Sequence, residues 1–403
     1  MKNFKTIILT SSITVLLTTI SFALLFKYFA PQQNKNNVIE KVSINSEKPL
    51  DLKPIDYNVY DKNTLNNRIN FERKNIITET VKRVSNAVVG INVTQIQQIR
   101  PYWSSDPFFR EFFGDQFINR EIKSLGSGYI ISPDGYIVTN DHVAGQAQKI
   151  IITMTDGRQF SAKIIGTDET TDICLLKIDA HNLPYIKFSD NKMIIGEWAI
   201  ALGNPFGLFE INDKPTVTVG VISSLGMNLG AVQNRYYLNM IQTDAAINGG
   251  NSGGPLVNVL GELIGMNTII YSPNAGSGSV GVGFAIPANK IKKIISELKE
   301  DGKIDRNFWT GLRIQNIDDS IAKYYKLKNK RGVIVTYVQP NSPAEKAGLK
   351  IADIITKVGS YVVNNDRIMI GALQDYRTGE NVTISILRDN EKLEKKLRLE
   401  KIK

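Results

Sequence analysis

"GYIISPDGYIVTN" (residues 128–140) holds two β-branched, apolar runs on either side of Pro133-Asp134-Gly135. Proline, aspartate and glycine in this order are typical of a tight turn, so the stretch predicts a β-hairpin. Further short apolar runs bounded by turn residues lie at 87–93, 149–154, 173–178, 197–203, 216–223, 262–270 and 281–286. Many short strands without intervening helices favour an all-β barrel or sandwich.

A helical pattern follows these runs at residues 288–303. The apolar residues that share one helical face are Ile291, Ile294, Ile295 and Leu298. Gly302 follows as a stop signal. We expect this helix to close a folded domain over 75–303, and mixed strands with two short helices to form a small α+β or partly open barrel domain over 304–403.

The composition excludes little by itself. The chain has 403 residues, a net charge of +10 and one cysteine, Cys174, which cannot form an internal disulfide. The basic residues are scattered and no zinc-finger, RNA-recognition or basic-zipper pattern accompanies them, so the sequence gives no support for nucleic-acid binding. The charge is explained either by a solvated surface or by attraction to anionic lipid or acidic peptide ends.

The amino terminus predicts export or anchoring. Residues 6–26 form an uncharged stretch long enough to span a bilayer, with Lys2 and Lys5 before it. Ser21-Phe22-Ala23 resembles a cleavage site of a signal peptide. Because apolar residues continue past that site, we favour an uncleaved transmembrane anchor over 1–30, followed by a polar tether over 31–74.

"INGGNSGGPLVN" (residues 247–258) surrounds Ser252 with glycines. Such a turn is either a flexible surface loop or an exposed nucleophile beside an anion-binding nest of N–H groups. A nucleophilic serine needs a base, and the chain has two histidines. His181 lies in a turn-like stretch that reads as solvated loop, whereas His142 directly follows an apolar strand. With Asp172 before another strand, the order His142, Asp172, Ser252 is that of the two-barrel serine proteases.

The ordered set of motifs resembles the HtrA (Deg) family of serine proteases. The motifs are "LGSGYIISPDGYIVTNDHV", "TDICLLKI", "ALGNPFG", "TVTVGVISSLG", "IQTDAAINGGNSGGPL" and "VGVGFAIP". The C-terminal unit resembles a PDZ domain, and one such unit with an anchor is most similar to the membrane-tethered DegS type. The resemblance implies a mostly β chain: a trypsin-like double β-barrel protease domain, then one PDZ domain.

The resemblance also implies the catalytic roles. Ser252 is expected to be the nucleophile, His142 its general base and Asp172 the residue that orients the imidazole. The N–H groups of Gly250 and Ser252 are expected to form the oxyanion hole, whose nest larger side chains would obstruct. We expect the pocket for a small or medium apolar substrate side chain to be lined by Ile247, Asn267 and Thr268. No cofactor or metal is expected.

Two positions depart from the family pattern. Met227 stands where members usually carry an arginine that passes activation from a sensor loop to the active-site loop. Arg235 either substitutes for it as an activation relay or is a plain surface arginine. Gly249 often has proline or another residue in the family, which predicts a looser loop here.

In the PDZ-like unit, the resemblance places a carboxylate-binding loop at Thr310, Gly311 and Leu312, whose N–H groups would meet the C-terminus of a peptide. The peptide would add as a strand beside residues 312–314 and pack against a helix over 367–376. The alternative is a scaffold domain without a ligand. The aromatic stretch 106–114 either contacts a neighbouring subunit, since family members are trimers, or buries its own phenylalanines.

The expected function is a membrane-anchored serine endopeptidase of the bacterial inner membrane, with both domains in the periplasm. It would cleave unfolded or regulatory proteins under control of C-terminal peptides, with a membrane-bound anti-sigma factor as the substrate that the resemblance suggests. A soluble quality-control protease of the HtrA type is the first alternative. A non-catalytic peptide-binding scaffold is the second.

Overall fold

The apolar runs form two antiparallel, six-stranded barrels, one after the other along the chain. The structure, a computed structural model, describes residues 74–99, 118–204, 209, 213–232, 234–270 and 279–402. Two barrels followed by a smaller mixed domain agree with the predicted mostly β architecture.

The first barrel contains the hairpin predicted for residues 128–140. Its strands are β1 (Val88–Ile99), β2 (Ile118–Ile130), β3 (Tyr136–Thr139), β4 (Lys149–Met154), β5 (Gln159–Asp168) and β6 (Ile173–Ile178). They close in the order β1-β2-β3-β6-β5-β4. At the hairpin turn Gly135 has φ +96°, and a Cβ there would lie 2.7 Å from the Ile178 carbonyl oxygen. Only glycine fits this turn against strand β6 without strain.

The second barrel carries a small hairpin between two of its strands. The elements are β7 (Trp198–Gly203), β8 (Thr216–Met227), β9 (Gly230–Val232), β10 (Arg235–Tyr237), β11 (Met240–Thr243), β12 (Pro255–Val257), β13 (Leu263–Ile270) and β14 (Gly283–Pro287). The barrel closes in the order β11-β14-β13-β12-β7-β8, while β9 and β10 pair only with each other. This two-stranded β9–β10 hairpin is important for the site described below.

Helices α1 (Ile76–Val84), α2 (Asp141–Ala144) and α3 (Ala288–Asp301) accompany the barrels. Helix α1 is capped by reciprocal hydrogen bonds between Asn75 and Thr78, and Arg83 donates to the Leu260 carbonyl oxygen of the second barrel at 2.7 Å. All four apolar residues predicted for the face of α3 are buried, and each contributes about 1.5–3 kcal/mol. Gly302, with φ +69°, ends the helix as expected.

The smaller domain has a six-stranded sheet, a second sheet of two strands, and short helices. Its elements are β15 (Phe308–Trp309), β16 (Leu312–Asn316), α4 (Asp319–Tyr324), β17 (Val333–Val338), α5 (Pro343–Lys346), β18 (Ile354–Val358), β19 (Tyr361–Val362), α6 (Asp366–Leu373), β20 (Asn381–Arg388), β21 (Glu391–Arg398) and β22 (Glu400–Lys401). The sheet order is β16-β17-β18-β20-β21, so β16 is an edge strand. The described part of this domain has three helices instead of the two expected, and α6 ends at Leu373, short of the predicted Tyr376.

The smaller domain is joined to the double barrel by both apolar and charged contacts. Leu238, which follows β10, is buried in the core of the smaller domain with Ile368 and Ala372 of α6. Both terminal nitrogens of Arg306 donate to the Asp168 carboxylate, at 2.6 and 2.7 Å, and both groups are almost fully buried. A bidentate pair of this kind fixes orientation as well as distance.

Several expectations concern residues outside those described. The predicted anchor (1–30), the tether (31–74, except Lys74) and the aromatic stretch 106–114 fall there, and the domain boundaries stay predictions. Within the described residues, no helix has the length and apolar character needed to cross a bilayer.

Candidate active site

His142 and Asp172 form the best-defined pair in the molecule. Strand β3 ends at Thr139, and Asn140 then opens helix α2, which carries His142. The His142 Nδ1 atom lies 2.8 and 3.0 Å from the two Asp172 carboxylate oxygens, and the His142 backbone N–H donates to Asp172 Oδ1 at 2.9 Å. The carboxylate is fully buried, whereas the imidazole is 36% exposed. A buried acid therefore holds one nitrogen of a histidine whose ring reaches the surface.

The Asp172 carboxylate accepts further hydrogen bonds from the second barrel and its β9–β10 hairpin. The Tyr237 hydroxyl donates to Oδ2 at 3.0 Å, and the Thr268 hydroxyl donates to the same oxygen at 2.9 Å. Burial alone would raise the pKa of Asp172, but the hydrogen bonds and charge of His142, with the Thr268 hydroxyl, bring that pKa below its usual value. Asp172 is therefore ionised at neutral pH.

The backbone at Asp172 has an unusual conformation. Its φ of +61° is uncommon for a residue with a side chain, although aspartate tolerates this region better than most. The Asn140 side chain donates to the Asp172 carbonyl oxygen at 3.0 Å, so the turn between β5 and β6 is fixed from the start of α2.

Ser252 lies on the other side of Thr268. Its hydroxyl donates to the Thr268 carbonyl oxygen at 3.1 Å, while the Thr268 side chain donates to Asp172. Thr268 thus links Ser252 to the histidine–aspartate pair through one residue. Among the described residues, no hydrogen bond joins Ser252 to His142. The structure therefore brings His142 and Asp172 into direct contact, and places Ser252 beside them with its hydroxyl turned to a backbone acceptor.

The loop around Ser252 is held by Ser127, in strand β2 of the first barrel. The Ser127 hydroxyl donates to the Gly250 carbonyl oxygen at 2.5 Å, and its backbone N–H donates to the Ser252 carbonyl oxygen at 3.0 Å. The Ser127 hydroxyl also accepts from the Asn204 N–H at 2.7 Å. Ser127 is fully buried, so a single residue of the first barrel fixes two peptide groups of the loop.

The N–H groups of Gly250 and Ser252 have no acceptor within the part of the chain that the structure describes. Gly250 has φ +94°, a conformation that favours glycine. Unused N–H groups flanking a serine hydroxyl are suited to binding an oxygen anion.

The other glycines of this loop have a different cause from the one that the sequence suggested. A Cβ at Gly253 would collide with the Ser127 carbonyl oxygen, and one at Gly254 with the Leu202 carbonyl oxygen. Gly253 allows the loop to approach the first barrel closely, and Gly254 allows it to approach strand β7 of the second barrel. Close packing, and not an open nest, therefore requires these two glycines. Gly249 meets nothing within 4 Å, in agreement with a loosely packed position.

Arg235 is not a plain surface residue, because its side chain is only 14% exposed. Its Nη2 atom lies 2.9 Å from Asp141 Oδ2, and its Nε atom lies 3.2 Å from Asp172 Oδ1. Burial works against the charge, but the hydrogen bond to Asp141 and the charges of the two carboxylates raise the pKa of Arg235. Arg235 is therefore a buried cation beside the site, while a role as activation relay stays a prediction.

The side chains predicted to line the substrate pocket are all buried, and their role in binding substrate stays a prediction. Asn267 is fully buried and its amide donates to the carbonyl oxygens of Leu202 and Pro255, so it supports the barrel. Thr268 donates to Asp172 as described above. Ile247 is 1% exposed. None of the three presents an accessible side chain.

The predicted peptide-binding loop lies next to the edge strand β16. Gly311 has φ +77°, and the carbonyl oxygens of Thr310 and Gly311 accept from the N–H groups of Ala344 and Gln339. Both carbonyls are thereby drawn into the domain. The Leu312 N–H lies 3.3 Å from the Thr310 hydroxyl, so a bound carboxylate would have to compete for that donor.

Sequence reasoning missed Tyr237, Ser127 and Asp141. Tyr237 and Ser127 are ordinary residues in ordinary strands, and their roles depend on contacts between segments far apart in the chain. Asp141 had a weak signal, because it directly precedes His142 in "TNDHV". A charged residue at the start of a helix after a buried strand is a reasonable candidate for a partner.

Two family models match the chain. A trypsin-like peptidase domain matches residues 126–266, and a PDZ domain matches residues 311–399. The first match includes His142, Asp172 and Ser252, and the second covers the sheet that begins with β16. The two matches correspond to the double barrel and to the smaller domain.

Curated relatives are similar over most of this chain. A probable periplasmic serine endoprotease of the DegP-like type from Chlamydia trachomatis is 42% identical over 297 residues, which are 72% of this chain and 58% of that protein. A protein of the same description from a Marinomonas species is 39% identical over 331 residues, which are 77% of this chain and 68% of that protein. The chain spans little more than half the length of the first of these relatives.

Solved structures give the same result. The HtrA-type protease AlgW with a decapeptide is 34% identical, with a TM-score of 0.60 over 81% of this chain and 98% of that one. The serine endoprotease from Yersinia pestis is 31% identical, with a TM-score of 0.53 over 82% of this chain and 99% of that one. The chain therefore belongs to the HtrA family of serine proteases.

Proposed function

We propose that this chain is a serine endopeptidase in which Ser252 attacks a peptide carbonyl and His142 accepts its proton. His142 then returns the proton to the leaving amine, and Asp172 keeps the imidazole in the tautomer and orientation that this requires. The developing negative oxygen would be held by the N–H groups of Gly250 and Ser252. The observation that carries the proposal is the buried Asp172 carboxylate on His142 Nδ1, one residue away from Ser252 through Thr268.

The proposed reaction requires one rotation. The Ser252 hydroxyl must leave the Thr268 carbonyl oxygen and turn to the exposed nitrogen of His142. Rotation about the Ser252 Cα–Cβ bond releases the hydrogen bond to the Thr268 carbonyl oxygen. The glycine loop itself stays anchored by Ser127 during this step.

The test is the Ser252→Ala variant, assayed on an unfolded casein-like substrate. Loss of the nucleophile should lower kcat by about 10⁵-fold or more, to the detection limit, because residual catalysis by binding alone is small. Ser296→Ala is the matched control, since Ser296 is exposed on α3 and far from the site in sequence. Cleavage that persists in purified Ser252→Ala protein would remove Ser252 from the catalytic role.

We further propose that C-terminal peptides bind the smaller domain and control the protease. The edge strand β16 offers unpaired backbone groups for an added strand, next to the loop with Thr310 and Gly311. Helix α6, which would line the same groove, packs against Tyr236 and Leu238 of the β9–β10 region. Peptide binding would thus act on a helix that touches the neighbours of Arg235 and Tyr237.

Peptide titration tests this control. Decapeptides with a free C-terminal carboxylate should change the rate of casein cleavage, whereas the same peptides with an amidated C-terminus should have little effect. An equal response to both forms would contradict recognition of the carboxylate. A flat response to every peptide would end the proposal of control.

The cellular setting is proposed from the sequence and the relatives. The DegP-like relatives are named periplasmic, and residues 6–26 would anchor this chain in the bacterial inner membrane with both domains in the periplasm. We propose a homotrimer that acts on unfolded or regulatory proteins, with a membrane-bound anti-sigma factor as one candidate substrate. A mature protein that begins after Ala23, and is released without detergent, would instead favour the soluble quality-control alternative.

A further inference from the structure

The β9–β10 hairpin presents two different faces to two different neighbours. Successive side chains of a strand point to opposite sides, so Arg235 and Tyr237 share one face and Tyr236 has the other. Tyr236 packs against Gly371 of helix α6. Arg235 and Tyr237 reach Asp141 and Asp172. One short strand therefore touches the smaller domain on one side and the carboxylate proposed to orient His142 on the other.

The charges around His142 are few and nearly balanced. The Asp172 carboxylate is buried and contacts the imidazole. The Asp141 carboxylate is also buried, and Asp141 directly precedes His142 in the sequence. Arg235 is the cation that contacts both of them. With Arg235 in place, the two carboxylates and the guanidinium leave one net negative charge for a protonated His142 to neutralise. Without Arg235, two buried negative charges would favour the protonated imidazole.

The remaining titratable neighbours are either uncharged near neutral pH or paired with an opposite charge. Burial raises the pKa of the Tyr237 hydroxyl, and the charge of Asp172 raises it further, so Tyr237 stays a hydrogen-bond donor. Burial, followed by the charge of Asp141, raises the pKa of Cys174 to about 12. Asp168, near the same turn, is paired with Arg306. The local balance therefore depends on Arg235 and Asp141.

We propose that Arg235 and Asp141 are opposed positioning residues that set the pH range in which His142 acts as a base, and that Tyr237 fixes the Asp172 carboxylate against it. This inference rests on the proposed peptidase function. Arg235 makes the imidazole easier to deprotonate, Asp141 makes it harder, and their mutual ion pair keeps both in place. Tyr237 holds Oδ2, the oxygen closer to His142 Nδ1, without adding charge.

The first experiment is the pH dependence of kcat/KM, which reports the essential base of the free enzyme. In Arg235→Gln the acid limb should move to higher pH, and in Asp141→Asn it should move to lower pH, each by about one pH unit or less. The double variant should return toward the wild-type profile. If the two residues served only in folding, the single variants would not shift the acid limb in opposite directions. The proposal is overturned if both variants shift the acid limb in the same direction, or if both stay active and neither shifts it.

Two further variants separate charge from geometry. Arg235→Lys keeps the charge but loses the planar fork, so the acid limb should stay within about 0.3 pH units of wild type while kcat falls about three- to tenfold. Tyr237→Phe should lower kcat by a similar factor with little change in KM, because it removes one hydrogen bond to Asp172 and keeps the ring. A shift in Arg235→Lys as large as in Arg235→Gln would contradict the electrostatic assignment.

A measurement without turnover distinguishes failure of this inference from failure of the proposed function. The chain has two histidines, His142 and His181. In full-length Ser252→Ala protein labelled at histidine, NMR titration should give two imidazole signals, of which His181→Asn removes one. The remaining His142 signal should titrate at higher pH with Arg235→Gln and at lower pH with Asp141→Asn. Titration midpoints that are identical in all three proteins would reject the inference even if wild-type protein cleaves casein.

Discussion

The two barrels contribute halves of the site that differ in how firmly they are held. The first barrel provides His142 and Asp172, joined by hydrogen bonds from both the ring and the backbone of the histidine. The second barrel provides Ser252, whose hydroxyl has a backbone carbonyl as its acceptor. Asp172 is fixed by donors from several segments, whereas Ser252 depends on a loop that is rich in glycine.

This difference indicates where control can act. Moving the histidine–aspartate pair would break several buried hydrogen bonds, each of which costs about 1–3 kcal/mol when a partner is left unsatisfied. Turning Ser252 toward His142 breaks one hydrogen bond to a carbonyl oxygen. The group that must turn, the Ser252 hydroxyl, is therefore held by a single hydrogen bond, whereas the histidine–aspartate pair is preorganised.

The largest effect is expected from Asp172→Asn, which removes the carboxylate from the histidine–aspartate pair. The amide oxygen can still accept from His142 Nδ1–H. The amide N–H₂ group can instead donate to an unprotonated Nδ1, which stabilises the tautomer with its proton on Nε2, the wrong one for a base. We expect kcat to fall by about 10⁴-fold, by analogy with the corresponding change in other serine proteases. The pH profile and the binding of a substrate-like inhibitor provide the readout. Should kcat fall less than tenfold, His142 would not depend on Asp172 for its orientation.

The glycine loop allows a matched comparison within the other half. Gly253 has φ +82° and no room for a Cβ, so Gly253→Ala should destabilise the fold by about 3 kcal/mol or more and lower kcat at least about 100-fold. Gly249 meets nothing within 4 Å, so Gly249→Ala should leave kcat within about twofold and slightly stabilise the protein by reducing the entropy of the unfolded chain.

Thermal midpoints and kcat/KM of the two alanine variants, measured side by side, check this comparison. Equal losses in both would mean that the loop responds to any added methyl group and that the contact with Ser127 is not the cause. Wild-type activity in Gly253→Ala would show that the close approach between the barrels is not needed in solution.

The sequence was sufficient for the architecture and for the residues with chemical signatures. Short β-branched runs between turn residues predicted the barrels, and the apolar face and Gly302 predicted helix α3. His142 was identifiable because it follows a buried strand and because the chain has one other histidine. Each of these inferences depends on a local pattern, and all the residues of that pattern lie in one contiguous segment.

What the sequence did not reveal depends on contacts between distant segments. Thr268 was assigned to the substrate pocket because of its position, but barrel closure directs its hydroxyl to Asp172, 96 residues earlier. Arg235 had a surface interpretation and a relay interpretation, and only the fold shows that it lies between two carboxylates. The need for Gly253 arises from Ser127, at the end of a strand in the other barrel. No periodicity or motif encodes these pairings.

The smallest expected effect concerns the acid stability of the well-held half. The pKa of Asp172 is lower in the folded protein than in the unfolded chain, so its ionised form stabilises the fold above the unfolded pKa of about 3.9, and this contribution is lost as the pH falls through the folded pKa. Below pH 4 the free energy of unfolding of wild-type protein should therefore fall more steeply than that of Asp172→Asn, by at most about 1.4 kcal/mol per pH unit.

Urea titrations at pH 7, 5, 4 and 3 measure both slopes, with Asp156→Asn as the control, since Asp156 is half exposed and paired only with Arg158 at the surface. Parallel curves for wild type and Asp172→Asn would mean that the hydrogen bonds to His142 and Thr268 do not lower the acid's pKa, and the contrast between a firmly held and a loosely held half of the site would lose its energetic basis.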